Sequence, residues 1–225
     1  MAGLLVATST PQAAGQVFID TFASGFQNGG AIPDGNLSGW SDTRSLSASA
    51  NIAEVTVNLA LTGGFNGDLY GYISHDGVLV PLLNRVGLSS TDSFAYGDPG
   101  LDVAFADGAP LGDIHFYQLA ADFSSRITDG SVWEPDGRTL SPTEAAPSDY
   151  DSATRTTLSA FNGHVAGGPW TLFIADVSGG GGTSVLSRWG WQITAVPEPV
   201  QTLECASALL VVGTVRWWAQ RRHRD

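Results

Sequence analysis

The chain contains a single cysteine and no lysine. Cys205 is its sole cysteine, so the chain forms no internal disulfide, and the residues before Cys205 have no thiol chemistry. All ten basic residues are arginines, and before Pro197 only 6 arginines stand against 19 acidic residues. Nucleic acids bind to basic patches. The composition therefore argues against a nucleic-acid partner and indicates an acidic surface.

Sustained helical periodicity is also missing before the C-terminal tail. The chain has 28 glycines and 43% hydrophobic residues, which is too Gly-rich for a helical domain and too apolar for a disordered one. Alternation over residues 52–61 predicts a half-buried strand with Val55, Val57 and Leu59 on one face. Asp76-Gly77 predicts a hairpin turn between strands at 69–74 and 78–83. Further strands are predicted at residues 16–22, 114–119, 170–176 and 189–194.

Short strands separated by Gly, Asp and Pro predict one all-β domain, a β-sandwich of jelly-roll type. We place this domain at residues 16–195. Residues 1–15 hold a short apolar patch without a basic start, and we interpret them as a truncated signal or leader.

The C-terminal tail combines a stiff motif, an apolar run and a basic end. Pro197 and Pro199 flank Glu198, which keeps that backbone extended and accessible. The following run predicts a short transmembrane helix at about residues 203–219, near the lower limit of ~17 residues for a bilayer span. Arginines after the run predict a cytoplasmic C-terminus. A plain single-pass anchor and a C-terminal core helix are the alternative interpretations.

This tail, residues 196–225, resembles the PEP-CTERM sorting signal, which is recognised by a membrane cysteine protease called exosortase. The residues that match the signal are Val196, Pro197, Glu198, Pro199, Arg221, Arg222 and Arg224. The resemblance implies export, a transient anchor in the inner membrane, and release to the cell surface or the extracellular space. Exosortase would be the processing partner.

The body carries an ordered series of short landmarks. They are Ile-Pro-Asp at 32–34, Gly-Asp-Leu at 67–69, Leu-Leu-Asn-Arg at 82–85, the segments 158–163 and 168–172, Ile-Ala-Asp at 174–176, and Leu-Ser-Arg-Trp at 186–189. This series resembles the P domain (P/Homo B) of furin- and kexin-type proprotein convertases. The resemblance implies a jelly-roll module that accompanies a protease rather than a catalytic unit.

Two fragments are similar to subtilase boxes, around His164 and Ser184. The first lacks the second histidine that transfers the proton, and the second is followed by Val-Leu instead of the Met-Ala of a serine box. We therefore predict that the protein is not an enzyme and has no catalytic residues.

Aspartates in loops or at strand ends suit calcium, which takes six to eight oxygen ligands. We take as candidate calcium ligands Asp34, Asp68, Asp102, Asp107 and Asp176. The chain has no continuous calcium-loop motif, so these residues also fit solvated loop positions and turn caps.

Trp40 and Trp133 stand in loop-like contexts and are candidates for stacking against a glycan. The sequence as a whole predicts an exported, non-enzymatic sandwich with a structural or adhesive role at a surface or in an exopolysaccharide matrix. The first alternative is a carbohydrate-binding module. The second is an accessory domain linked to serine-type proteolysis, or a hydrolase with an unrecognised site.

Overall fold

A computed structural model of the protein describes residues 15–196, where nine β-strands form two sheets. The strands are β1 (Gln16–Phe22), β2 (Asn36–Leu46), β3 (Asn51–Thr62), β4 (Leu69–His75), β5 (Val78–Asn84), β6 (Leu101–Phe105), β7 (Val132–Trp133), β8 (Gly168–Asp176) and β9 (Val185–Val196). The described helices are short: the α-helix α1 (Phe123–Arg126) and 3₁₀ helices at Gln27–Gly30, Asn66–Asp68, Ile114–Leu119, Pro147–Asp151 and Leu158–Phe161.

The two sheets have the orders β1-β9-β3-β6-β7 and β2-β8-β4-β5. Every pair of neighbours is antiparallel except β6 and β7. The all-β, two-sheet fold predicted from the sequence is confirmed. In both sheets, strands that are distant in sequence lie side by side, so the loops at each end gather residues from remote parts of the chain.

Alternating side chains of both sheets meet in one hydrophobic core. Val55, Val57 and Leu59 of β3 are at most 2% exposed, as their spacing predicts. Trp170 of β8 meets Trp191 of β9 with ring centroids 5.9 Å apart, which joins the four-stranded sheet to the five-stranded sheet. Large aromatic side chains account for much of the apolar area that stabilises such a sandwich.

The β4–β5 hairpin turns at the predicted dipeptide. Asp76 and Gly77 have φ values of 48° and 78°. Positive φ at both central residues matches the right-handed twist of the flanking strands, and Asp-Gly adopts it readily. The predicted strands at 16–22, 52–61, 69–74, 78–83, 170–176 and 189–194 all lie within observed strands.

One predicted strand is wrong, because Ile114–Leu119 is a 3₁₀ helix. The Asp113 side chain accepts a hydrogen bond from the backbone N–H of His115, which satisfies a donor at the start of the helical turn. Three strands were not predicted: β2, β6 and β7.

No helix within residues 15–196 is long and apolar enough to cross a membrane. The predicted span at 203–219 and the predicted leader lie outside the described residues, apart from Gly15. Of the sorting-motif residues, Val196 ends β9, and the others lie beyond the described part of the chain.

Candidate functional site

Three of the five candidate calcium ligands lie at one end of the four-stranded sheet. Asp176 ends β8, and its neighbours across the sheet are Asn36 at the start of β2 and Leu69 at the start of β4. Asp34 precedes β2 and Asp68 directly precedes β4. Because β8 runs antiparallel to both neighbours, its last residue meets the loops that carry Asp34 and Asp68.

These carboxylates differ in burial and in their hydrogen bonds. Asp176 is 0% exposed and Asp68 is 7% exposed, whereas Asp34 is exposed. Asp176 Oδ1 accepts from Ser178 N at 3.2 Å, but its buried Oδ2 has no hydrogen-bond partner in the described chain. Asp34 Oδ1 accepts from Gly180 N at 3.1 Å. A buried carboxylate oxygen without a donor is unfavourable while the group is charged.

Burial raises the pKa of Asp176, and the negative charges of Asp68 and Asp34 raise this pKa further, whereas the hydrogen bond from the Ser178 backbone lowers it. Burial also raises the pKa of Asp68, while the nearby charge of Arg85 lowers it. The cluster therefore favours either a bound proton or a bound cation. Among residues 15–196, no group of three or more His, Cys, Asp or Glu side chains is arranged so that it could hold a metal ion.

The other two candidate ligands already have partners. Asp102 Oδ1 accepts from Arg188 Nη2 at 2.5 Å. Asp107 accepts from the backbone N–H groups of Leu158 and Ser159 at 2.9 and 2.7 Å, and so caps the 3₁₀ helix that begins there. Both residues have structural roles that explain their positions without a metal ion.

Trp40 and Trp133 do not form a stacking platform for a glycan. Trp40 belongs to β2 and Trp133 to β7, so neither stands in a loop. They are 5% and 1% exposed, so no ring face is open to a sugar. Trp40 Nε1 instead donates to the carbonyl oxygen of Gln27 at 2.8 Å. The loop-like appearance of both sequences arose because their strands are irregular or very short.

A groove of about 680 Å³ is lined by residues of β2, including Trp40, and by residues of the 3₁₀ helix at Gln27–Gly30. Uncharged side chains line it: Gln27, Asn28, Ala31, Pro33, Ser38, Trp40 and Ser41. Amide and hydroxyl groups can donate and accept hydrogen bonds without charge. Such a surface suits a neutral polyhydroxylated ligand better than an ion.

The two fragments similar to protease boxes lie far apart. The carbonyl of His164 accepts from Ile52 N at 2.8 Å at the start of β3, and Ser184 Oγ donates to Gly63 O at 3.4 Å just beyond its end. At about 3.3 Å per residue, β3 separates these contacts by roughly 35 Å. His164 Nδ1 lies 2.8 Å from an oxygen of Asp76, and Ser184 is 0% exposed. The pair therefore cannot act together.

A buried ion network around Asp136 was not predicted from the sequence. The His115 and Asp136 side chains are 0% exposed and lie 2.6 Å apart. Arg138 contacts Asp136 at 3.2 Å and Asp113 at 2.9 Å. Arg155 adds contacts to Asp113 and to Glu134 at its outer side. Because its centre is closed to solvent, the network joins the loops rather than binding a substrate.

Fold and site together define an acidic two-sheet β-sandwich. No protein-family model and no curated protein matches the chain. Two solved structures of the Aeromonas sobria serine protease are similar to it. The complex of that protease with the chaperone ORF2 matches 84% of this chain, with 15% sequence identity and a TM-score of 0.47. The structure of the protease without the chaperone matches 83% of this chain, with 14% sequence identity and a TM-score of 0.46. This chain covers 28% of the length of each protease chain, and at this level the similarity identifies no family.

Proposed function

We propose that the protein is an exported, non-enzymatic β-sandwich of P-domain type that an exosortase sorts to the cell surface or to an exopolysaccharide matrix. Its role there would be structural or adhesive. One observation carries the proposal: residues 15–196 already form both sheets of the sandwich, and the sequence that resembles a sorting signal occupies residues 196–225. A processing enzyme acting beyond Val196 would cut none of these nine strands.

The body has properties that suit such a role. Its acidic surface, with 6 arginines and no lysine before Pro197, does not favour polyanions. The separation of His164 from Ser184 and the burial of the Asp136 network support a non-catalytic module. The ordered landmarks of the body support the P-domain, jelly-roll type within the broader class of β-sandwiches.

Intact-mass analysis of the protein from its native host tests the sorting proposal. We expect loss of the apolar run and the terminal arginines, together with loss of the leader. Glu198→Ala should leave the tail attached, whereas Glu144→Ala, which changes an exposed glutamate of the body, should be processed normally. A mature protein that keeps its full C-terminus in the cytosol would refute the proposal.

We also infer a calcium-binding role for Asp34, Asp68 and Asp176. The buried Oδ2 of Asp176, which has no hydrogen-bond partner among residues 15–196, and the raised pKa values of Asp176 and Asp68 support it. Bound calcium supplies positive charge, which would offset the burial of two carboxylates. Asp102 and Asp107 are not part of this site, because Arg188 and two backbone N–H groups already occupy them.

A second candidate function is glycan binding in the groove beside β2, which agrees with an exopolysaccharide partner. The uncharged amide and hydroxyl lining favours it. Titration with oligosaccharides from the host matrix should show saturable binding that Gln27→Ala and Ser38→Ala weaken several-fold. Ser24→Ala, an exposed change outside the groove lining, is the matched control. Equal binding by all variants would remove the groove as the site.

A further inference from the structure

Within residues 15–196, strand β1 forms an open edge of the five-stranded sheet. Within the described residues its strand partner is β9, and it is the terminal strand of the order β1-β9-β3-β6-β7. Its sequence QVFIDTF contains one charged residue, Asp20, and no proline. Val17 and Ile19 are 56% and 65% exposed on the outer face. An edge of this kind presents backbone donors and acceptors beside exposed apolar side chains, and it readily pairs with another strand.

The other sheet edges are protected in the ways that natural proteins use. Strand β7 has two residues. Strand β5 contains Pro81, and the backbone N–H groups of residues 136–137 donate to its carbonyl oxygens. Strand β2 carries the charged pair Asp42 and Arg44 and an irregularity near its start. Among the four described edge strands, β1 has the least protection, with the single charged residue Asp20 and neither a proline nor an irregularity.

We propose that β1 pairs antiparallel with β1 of a second copy of this chain, so that two five-stranded sheets form one continuous sheet. A two-fold axis perpendicular to the sheet keeps the outer face of both copies on the same side. With the axis at Phe18, Val17 of each copy lies directly beside Ile19 of the other. The two exposed apolar side chains of one strand are thus matched by those of an identical strand.

The polar residues of β1 select the same register. The axis at Phe18 places the amide of Gln16 opposite the carboxylate of Asp20 in the second copy, where the amide can donate to it. An axis at Asp20 would oppose two carboxylates, which destabilises a strand pair. The pairing covers residues 16–20, so the contact is small and the dimer weak. A net charge of −12 on each copy opposes association, so added salt should strengthen it.

Disulfide cross-linking between copies tests both the partner and the register. In the full chain with Cys205→Ser, a mixture of Val17→Cys and Ile19→Cys should form cross-linked dimers at least tenfold faster than a mixture of Val17→Cys and Gln192→Cys. Gln192 is exposed on neighbouring β9, in register with Ile19. Directly opposite cysteines meet the geometry of a disulfide, whereas residues a strand apart do not. Equal rates in the two mixtures would overturn the proposal.

Sedimentation at increasing protein and salt concentration provides the second measurement. Ile19→Asp places a charge on an exposed position, so the fold persists, which the melting temperature checks. We expect this variant to need at least tenfold more protein than wild type to reach the same dimer fraction, while Gln192→Asp matches wild type. Any association through the tail is common to all variants. If Ile19→Asp and wild type sediment alike, the edge does not join copies of this chain.

Discussion

Replacing Asp136 with asparagine tests how far the stability of the sandwich depends on its buried ion network. The Asp136 carboxylate accepts four hydrogen bonds while it is 0% exposed. Its Oδ2 accepts from His115 Nδ1 at 2.6 Å and from Asn84 N at 3.2 Å. Its Oδ1 accepts from the backbone N and the Nη1 of Arg138 at 3.3 and 3.2 Å. Asparagine keeps the shape of the side chain but has one acceptor oxygen and no charge.

The expected loss of stability follows from the hydrogen-bond donors around residue 136 that remain buried after the substitution. Whichever way the new amide is turned, its N–H₂ group faces two donors, so two of the four hydrogen bonds are lost. Arg138 keeps Asp113 at 2.9 Å and the Tyr150 carbonyl at 2.8 Å, which limits the damage. Removing one partner of a buried pair typically costs about 3–5 kcal/mol. We expect a decrease of that size in the free energy of unfolding, a large share of the ~5–15 kcal/mol of a typical domain.

Urea unfolding of the full chain, followed by tryptophan fluorescence, measures this difference. The matched control is Asp122→Asn, which removes the same charge from an exposed residue whose side chain makes no capping bond. Asparagine also tolerates the left-handed backbone of that position, where φ is 57°. The control should stay within about 0.5 kcal/mol of wild type. An Asp136→Asn variant as stable as this control would show that the network does not hold the loops together.

Three further outcomes are expected. The pKa of Asp176 is raised above its unfolded value of 3.8, so the native state binds the proton more tightly, and the contribution of this group to stability is lost as the pH rises through the folded pKa. In calcium-free buffer, Asp176→Asn should therefore gain in urea stability relative to wild type from pH 4 to pH 7, and a constant difference would contradict this reasoning. Calcium should raise the melting temperature of wild type by several degrees at pH 7, and EGTA should reverse this gain. The melting temperature of Asp176→Asn should not change with calcium. If calcium does not shift the melting temperature of wild type, the site is excluded. Gly87→Ala should lower the melting temperature far more than Gly108→Ala. Both glycines have positive φ, but a Cβ at Gly87 overlaps the Tyr96 ring, whereas a Cβ at Gly108 meets open space. Equal losses in melting temperature would show that backbone strain alone matters.

Alternation in the sequence predicted the long strand β3, but β2 and the short strands β6 and β7 were missed. Strand β3 alternates because its inner residues enter the core. Strand β2 lies at a sheet edge and exposes much of both faces, so its sequence Asn36–Leu46 shows little contrast between neighbours. The apolar residues at 114–119 suggested a strand, but the side chain of Asp113 favours a helical turn there.

The candidate calcium ligands show a similar limit of prediction from the sequence. In the sequence, Asp102 and Asp107 look no different from Asp68 and Asp176. Their partners, Arg188 and residues 158–159, lie far along the chain and come near only in the folded sheets. The meeting of Asp34, Asp68 and Asp176 likewise depends on the order β2-β8-β4, which periodicity does not reveal.

Removal of the tail should leave the sandwich as stable as before. Strand β9 lies between β1 and β3, and its pairing continues to its last residues: Ala195 pairs with Gln16 and Ile52, and Val196 pairs with Asn51. Ala195 is 0% exposed, so β9 contributes to the core up to the residue before the sorting motif. A chain ending at Pro199 should therefore melt within a degree or two of the full chain. A chain ending at Gly190 loses Trp191 and Ile193 from the core and should not fold. Equal melting of the two truncations would contradict the expectation that the fold needs β9 but not the residues after Pro199.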